Sequence, residues 1–167
     1  MKAETVIGPA TIVEKPARSY AGIRIQTPFA GMFSIATSAL RELRAWSRKN
    51  ARADDGPYLL RYYVTDMKGI MDIEAGLMTA SPPRDHPLIK PSLLPGGTYA
   101  SLIYRGNGLR GNQALMQWGR ETSTAFEHLD PMQPESYVCR YEAYLTDYRV
   151  EPRKLLWDVE LSIKIAS

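Results

Sequence analysis

The sequence predicts an α+β fold in which a βαββ unit occurs twice in tandem. Two strand-like segments resemble each other, SYAGIRIQTP at 19–28 and TYASLIYRGN at 98–107. Each is followed by a helical pattern, and each helical pattern by two further strand-like segments. Self-similarity of this kind indicates a duplicated unit. We therefore expect a pseudo-twofold sandwich, with four strands per sheet, one helix over each half and a central ligand cleft between the halves.

Length and composition fit one globular domain. The chain has 167 residues, which is enough for a single substantial core. Apolar residues make up 44% and charged residues 23%, as in ordinary globular proteins. We expect one domain over 1–167, with the first repeat at about 5–82 and the second at about 88–166.

The strand-like segments are the first elements of each repeat, and the helices follow them. Apolar residues recur there every three or four positions, which predicts one amphipathic helix in each half. The positions are Phe33, Ala36, Leu40, Leu43 and Trp46 in the first half, and Leu115, Trp118, Ala125, Phe126 and Leu129 in the second. We expect Trp46 in the core, whereas Trp118 is assigned either to the core or to the ligand cleft.

Two pairs of strand-like segments complete the repeats: LLRYYVTD with MDIEAGLMTA, and CRYEAYLTD with LLWDVELSIKI. Their alignment places Tyr63 over Tyr144 and Arg61 over Glu142. It also places Glu74 over Glu160. The proline-rich stretch SPPRDHPLIKPSLLPGG lies between the halves, and because proline lacks a backbone donor we expect a connector there without a strand or helix.

Several kinds of site receive little support. Cys139 is the only cysteine, which excludes an internal disulfide and a thiolate zinc cluster, and His86 and His128 are too few for a local metal motif. We expect no metal and no cofactor. No long uncharged apolar run occurs, so we expect a cytoplasmic protein without membrane contact. The basic run RELRAWSRKNAR is interpreted as a solvated helix face, so direct nucleic-acid binding is not expected.

A literal G-x-G-x-x-G pattern occurs at Gly106, Gly108 and Gly111. Dinucleotide binding also requires a second parallel strand that ends in an acid about 20 residues on. That position is Asp130, which no strand pattern precedes. Phosphate binding at the N-terminus of the following helix stays open as an alternative.

The sequence resembles the GyrI-like family, which includes gyrase-inhibitor proteins and the effector-binding domains of AraC-type and MerR-type multidrug regulators. The resemblance lies in VEKPARSYAGIRI, in LPGGTYASLIYRG and, most specifically, in CRYEAYLTD followed by WDVELSIKI. It spans nearly the whole chain. It implies a domain that binds small molecules, similar to the standalone members because no residues are left for a DNA-binding module.

The resemblance implies that Glu142 lies in the pocket and meets cationic ligands, with Tyr144 on the same wall. Strand alternation agrees, since it puts Glu142 and Tyr144 on one face. The same alternation leaves open whether Glu160 faces that cleft. Arg61, aligned with Glu142, would weaken a preference for cations if it also faced inward. The further ligand-binding candidates are aromatic residues on elements expected to border the cleft: Tyr104, Trp157, Trp118 and Tyr63.

Three functions follow. The first is binding of a small hydrophobic ligand, cationic or polycyclic, for sensing or sequestration. The second is hydrolysis of electrophilic, cyclopropane-bearing polycyclic compounds, as in some standalone relatives, with Glu142 as the general base. The third is a protein-interaction module of the gyrase-inhibitor type. The sequence supports a small organic molecule as the partner in the first two and a protein in the third.

Overall fold

The computed structural model describes residues 4–52 and 55–167. Within them the chain forms nine strands, two α-helices and one short 3-10 helix. The strands are β1 (Val6–Ile7), β2 (Thr11–Lys15), β3 (Arg18–Pro28), β4 (Tyr58–Val64), β5 (Ile70–Met78), β6 (Lys90–Leu94), β7 (Gly97–Arg105), β8 (Arg140–Tyr144) and β9 (Val159–Lys164). The helices are α1 (Met32–Lys49) and α2 (Gly108–Glu121), and the 3-10 helix covers Lys154–Leu156.

All nine strands pair into one antiparallel sheet, in the order β1-β7-β9-β8-β4-β5-β3-β6, with β2 also paired to β7. The expectation of four strands in each of two sheets is therefore wrong, because β4 and β8 hydrogen-bond to each other and join the halves. Two short strands pair with the opposite half of the chain. β2 precedes β3 in the sequence but pairs with β7, and β6 precedes β7 but pairs with β3.

The proline-rich connector contains a strand that its composition did not predict. Lys90–Leu94 forms β6, which pairs with β3 and lies at the edge of the sheet. Pro91 is tolerated there because an edge strand needs hydrogen-bond donors on one side only. The prediction of a connector without a strand is wrong for these five residues.

Both helices cover the same face of the sheet. Directly paired residues share a face, so one row of side chains runs across six strands, three from the first half of the chain and then three from the second. The row consists of Ile23, Ala75, Leu60, Glu142, Leu161 and Leu102. Five of its members belong to the main hydrophobic cluster, together with Ala36, Leu40 and Leu43 of α1 and Leu115 of α2. Glu142 is the one charged residue in this row.

The opposite face carries a second, smaller core. Its buried residues are Tyr20, Leu59, Met78, Leu94, Tyr99, Cys139, Tyr141 and Ala143. Because both faces of the central strands are buried, all five residues of β8 have little solvent contact. The side of the sheet toward which a polar residue points therefore decides which site it can join.

Helix α2 is shorter than its apolar pattern predicts. It ends at Glu121, and Ser123 has a φ of 54°, a left-handed conformation that stops the helix. Ala125, Phe126 and Leu129 therefore lie beyond the helix, and Phe126 folds back against Gly119. Among the described residues, neither helix has the length and apolar character needed to cross a membrane.

Candidate functional site

Glu142 is a buried carboxylate that accepts four hydrogen bonds. Tyr104 Oη donates to Oε1 at 3.0 Å and Asn112 Nδ2 at 3.1 Å. The second oxygen, Oε2, has two longer contacts, with Tyr144 Oη at 3.4 Å and Tyr62 Oη at 3.5 Å. The carboxylate is 4% exposed and lies between the sheet and α2. Such a group is stabilised in the interior by donors that converge on it.

The three tyrosine hydroxyls around Glu142 remain protonated donors. Burial raises the pKa of Tyr104, Tyr62 and Tyr144 well above the ordinary value, and the nearby Glu142 charge raises each pKa further. A tyrosinate beside the carboxylate would place two negative charges in a low-dielectric interior. The cluster therefore presents three hydroxyl donors to Glu142.

Arg140 and Asn112 connect Glu142 to helix α2. Arg140 Nη2 donates to Asn112 Oδ1 at 2.7 Å, and the amide nitrogen of Asn112 donates to Glu142. The guanidinium also lies 4.9 Å from the ring centre of Tyr137. The Asn112 side chain thus hydrogen-bonds to both the Arg140 guanidinium and the Glu142 carboxylate, which lie on the same face of β8.

The G-x-G-x-x-G pattern serves the packing of Tyr104. A Cβ added at Gly111 would lie 2.5 Å from Cδ1 of the Tyr104 ring, and one at Gly108 would lie 3.0 Å from its hydroxyl. Gly106 has a φ of 105°, which favours glycine. These glycines let α2 approach β7 closely enough for Tyr104 to reach Glu142.

Two adjoining cavities lie beside Tyr144, between α1 and the segment that links β8 to β9. The larger has a volume of about 440 Å³ and the smaller about 260 Å³. Four residues line both: Arg44, Tyr144, Tyr148 and Trp157. Glu142 lines neither cavity, but Tyr144, whose hydroxyl touches Glu142, forms part of both walls. We call these two spaces together the aromatic cleft.

Trp157 is held rigidly at the cleft. Its Nε1 donates to the Glu151 carbonyl oxygen at 2.5 Å, and its ring centre lies 5.5 Å from that of Tyr144. Only 5% of the residue is exposed. Of the aromatic residues that the sequence nominated, Trp157 and Tyr144 line the cleft, and Tyr104 lies beneath it as a donor to Glu142.

Glu160 and Tyr63 lie on the other side of the sheet from Glu142. In the β8–β9 pairing Glu142 is opposite Leu161, whereas Glu160 is opposite Ala143 and bonds Lys15 Nζ at 2.7 Å. Tyr63 donates to Glu74 at 2.9 Å. Tyr63 therefore does not border the Glu142 cleft as expected, and Glu160, whose face the sequence left open, lies on the opposite face of the sheet.

The face on which Arg61 lies also differs from the one that the sequence alignment predicts, because the pairing of β4 is locally irregular. The β4–β5 register shifts by one residue between Tyr62 and Val64, so Tyr63 is an extra residue in β4. Leu60, and not Arg61, is therefore the residue of β4 that pairs with Glu142. Arg61 points to the opposite face and does not oppose Glu142.

On that opposite face Arg61 and Glu74 anchor a second buried polar cluster. Arg61 donates to Tyr20 Oη at 3.0 Å and to the carbonyl oxygens of Leu93 and Val138 at 2.8 Å each. Glu74 accepts from Tyr63 and from Tyr20. The cluster ties β4 to β3, to β6 and to the segment before β8.

Trp118 is half-buried against the main core on α2 and lines neither cavity of the cleft. The contacts that the sequence did not predict are Asn112 and Tyr62. Strand alternation places Arg140 and Glu142 on one face, and the two are joined through Asn112. Asn112 and Tyr62 become neighbours only through the packing of α2 and the pairing of β4 with β8.

Solved structures with this fold include three relevant proteins. EcmrR in complex with DNA has a TM-score of 0.67 and 17% identity over 95% of this chain, which spans 57% of that longer chain. The C-terminal domain of EcmrR has a TM-score of 0.65 and 16% identity, with 96% of this chain and 98% of that domain covered.

SAV2435, solved with bound tetraphenylphosphonium, has a TM-score of 0.63 and 10% identity, with 95% and 94% covered. A hydrolase from Listeria innocua has a TM-score of 0.60 and 11% identity, with 94% and 91% covered. At these identities the likeness concerns the fold alone. No curated protein sequence is significantly similar to the chain. The family model of the GyrI-like small molecule binding domain matches residues 9–166, and the chain therefore belongs to this family.

Proposed function

We propose that the protein binds a small hydrophobic organic molecule, cationic or polycyclic, in the aromatic cleft, for sensing or sequestration. The observation that carries the proposal is the wall formed by Tyr144 and Trp157 over the buried Glu142 carboxylate. Rings of this kind supply apolar contact area for a flat ligand. The family assignment and the tetraphenylphosphonium bound by SAV2435 support the same kind of ligand.

A cationic group would act on Glu142 through Oε2. Oε1 has two well-formed donors, while the Tyr144 and Tyr62 contacts to Oε2 are long. Long contacts are weak, so a ligand would displace these hydroxyls at small cost. A small rotation of Tyr144, which lines the cleft, would bring the ligand to the carboxylate. We propose Glu142 as the charge-recognition residue, with Tyr144 and Trp157 as the contact surface.

Titration with tetramethylrhodamine ethyl ester, an aromatic cation, tests this proposal by fluorescence anisotropy. Glu142→Gln keeps the shape of the side chain and removes its charge. We expect this variant to bind the dye about tenfold or more weakly, because a charge pair screened from water is worth more than about 1.4 kcal/mol.

The matched control is Glu160→Gln, which removes one carboxylate from the opposite face of the same sheet. We expect its affinity for the dye to stay within about twofold of the unmodified protein. Equal loss in both variants would mean that the dye responds to net charge alone. Unchanged affinity in Glu142→Gln would remove Glu142 from the recognition of the ligand.

Binding is proposed ahead of hydrolysis because Glu142 already accepts four hydrogen bonds and is 4% exposed. A general base needs a water molecule within hydrogen-bond reach. Incubation with a cyclopropane-bearing polycyclic compound, followed by mass spectrometry, separates the two functions. A hydrated product formed over many turnovers would overturn the binding-only proposal, and its loss in Glu142→Gln would assign the general base to Glu142.

We infer in addition that residues 5–82 and 88–166 are two repeats of one domain. Supporting this, Asp72 in β5 and Asp158 just before β9 lie at the same offset as the aligned Glu74 and Glu160. Each bonds an arginine of the neighbouring strand, Arg24 of β3 at 2.6 Å and Arg105 of β7 at 2.9 Å. Tyr20 and Tyr99 are likewise buried at matching places in β3 and β7. A cytoplasmic location stays a prediction from the sequence.

A further inference from the structure

The smaller cavity of the aromatic cleft has an unbalanced charge. Three cationic side chains line it, Arg41 and Arg44 from α1 and Lys154 from the β8–β9 segment. Among the described residues no carboxylate lines this cavity, and none lies within salt-bridge distance of these three cations. The rest of the lining is mainly apolar and aromatic. The cavity therefore combines positive charge with ring surface.

The acidic groups around the cleft form no salt bridge with these three cations among the described residues. Asp147, which lines the larger cavity, pairs with Arg149 at 2.9 Å, and Glu151 pairs with Arg153 at 2.7 Å. Both carboxylates are thus occupied by arginines of their own segment. Glu142 is separated from the cavity by Tyr144 and is surrounded by its own donors. Asp55 also lines the larger cavity, and its buried Oδ2 has no hydrogen-bond partner among the described residues. No described carboxylate, Asp55 included, forms a salt bridge with Arg41, Arg44 or Lys154.

Arg44 is the most constrained of the three cations. Its guanidinium lies 3.9 Å from the ring centre of Tyr148 and 5.7 Å from that of Tyr58. Its Nε is buried and has no hydrogen-bond partner among the described residues. Removing a charged donor from water without a partner is unfavourable, and a ligand oxygen would relieve that cost.

Lys154 extends the positive surface across the opening. Its Nζ lies 5.4 Å from the ring centre of Phe33 and 5.2 Å from that of Tyr144. The ammonium group therefore stands above two rings at the border of the cavity, and Arg41 stands on the α1 side. Aromatic faces hold a cation in place without neutralising it.

We propose that the smaller cavity is a subsite for an anionic group, a carboxylate or sulfonate, carried on an aromatic or otherwise apolar body. Arg44 and Lys154 bind the anion, Arg41 adds long-range attraction, and Tyr144, Tyr148 and Trp157 contact the body. This inference rests on the proposed function, because it assigns a second recognition element to the same cleft. A ligand that satisfies both elements carries a positive group toward Glu142 and a negative group toward α1.

Two dyes with a shared ring system test the subsite. Anilinonaphthalene sulfonate carries a sulfonate, and phenylnaphthylamine has the same rings without it; both become fluorescent on binding. We expect the sulfonate to bind at least about fivefold more tightly. Lys154→Gln and Arg41→Gln remove exposed charges and should leave folding intact. Each should weaken the sulfonate about two- to fivefold and leave phenylnaphthylamine unchanged.

Lys68→Gln is the matched control, since Lys68 is an exposed lysine in the turn after β4 and lines neither cavity. Equal affinity for the two dyes, unaffected by Lys154→Gln and Arg41→Gln, would overturn the anion subsite while leaving the proposed function standing. Failure of both dyes and of tetramethylrhodamine ethyl ester to bind would overturn the proposed function itself. If Lys68→Gln weakened binding of the sulfonate dye as much as Lys154→Gln, the affinity would depend on net charge alone, and this result would also overturn the subsite.

Discussion

At the residue scale, the alternation of side chains along a strand determines which glutamate can lie next to Tyr144 and the aromatic cleft. Glu142 and Tyr144 lie two positions apart in β8 and share a face, as predicted from sequence, and their side chains touch. Glu160 could not be assigned in the same way, because its face depends on the pairing of β9 with β8. The misplacement of Arg61 came from one extra residue, Tyr63, which no sequence pattern reveals. Side-chain faces follow from sequence only where the register is known.

Gly111 provides a test of the contact between α2 and Tyr104. Alanine normally stabilises a helix relative to glycine by about 1 kcal/mol. At Gly111, however, the added methyl group would meet the Tyr104 ring at 2.5 Å. We expect Gly111→Ala to lower the free energy of unfolding by about 1–3 kcal/mol, measured by urea denaturation. Gln113→Ala, on the exposed side of α2, is the control and should leave stability nearly unchanged. An increase in stability in Gly111→Ala would contradict the close approach.

At the element scale, the β8–β9 segment forms one wall of the aromatic cleft. Two hydrogen bonds close its base: Leu145 N donates to the Asp158 carbonyl oxygen, and Asp158 N donates to Thr146 Oγ1, both at 2.9 Å. The sequence did not predict these contacts. The closeness of the segment to α1 depends on tertiary packing, which local patterns do not encode.

Tryptic cleavage should report on this wall. Arg149, Arg153 and Lys154 are exposed cleavage sites within the segment. Ligand bound against Tyr148 and Trp157 would hold the segment closed, so we expect saturating tetramethylrhodamine ethyl ester to slow cleavage there about threefold or more. Mass spectrometry of the fragments identifies the sites. Cleavage after Lys68 serves as the internal control, and equal slowing there would indicate inhibition of trypsin instead.

At the scale of the whole molecule, buried tyrosines lie on both faces of the sheet. Burial raises the pKa of eight tyrosines above the ordinary value of 10.0: Tyr20, Tyr58, Tyr62, Tyr63, Tyr99, Tyr104, Tyr141 and Tyr144.

Most of the element order was predictable from the sequence, because amphipathic periodicity and the repeated segments are local. The single sheet and the crossing of β2 and β6 were not, since they depend on pairing between distant strands.

Stability should fall steeply in alkaline solution. The folded tyrosines keep their protons above pH 10, whereas those of the unfolded chain ionise there, so the unfolded state binds fewer protons as the pH rises. The stabilisation is complete below about pH 10 and is lost above it, by about 1.4 kcal/mol per pH unit for each tyrosine that stays protonated. We expect tyrosinate absorbance to appear together with the loss of circular dichroism. Titration of more than two of the ten tyrosines near pH 10 with native dichroism retained would contradict this linkage.

The exchange of β2 and β6 between the halves has a consequence for how the polypeptide can be divided. A cut in the segment between β5 and β6 separates β2 from β7 and β6 from β3 at once. Each fragment would then expose the hydrogen-bonding edges that the other had covered, together with the broken β4–β8 seam. Such fragments should fold on meeting each other, as a complementing pair, and a split reporter built at this site would couple its reconstitution to occupancy of the cleft.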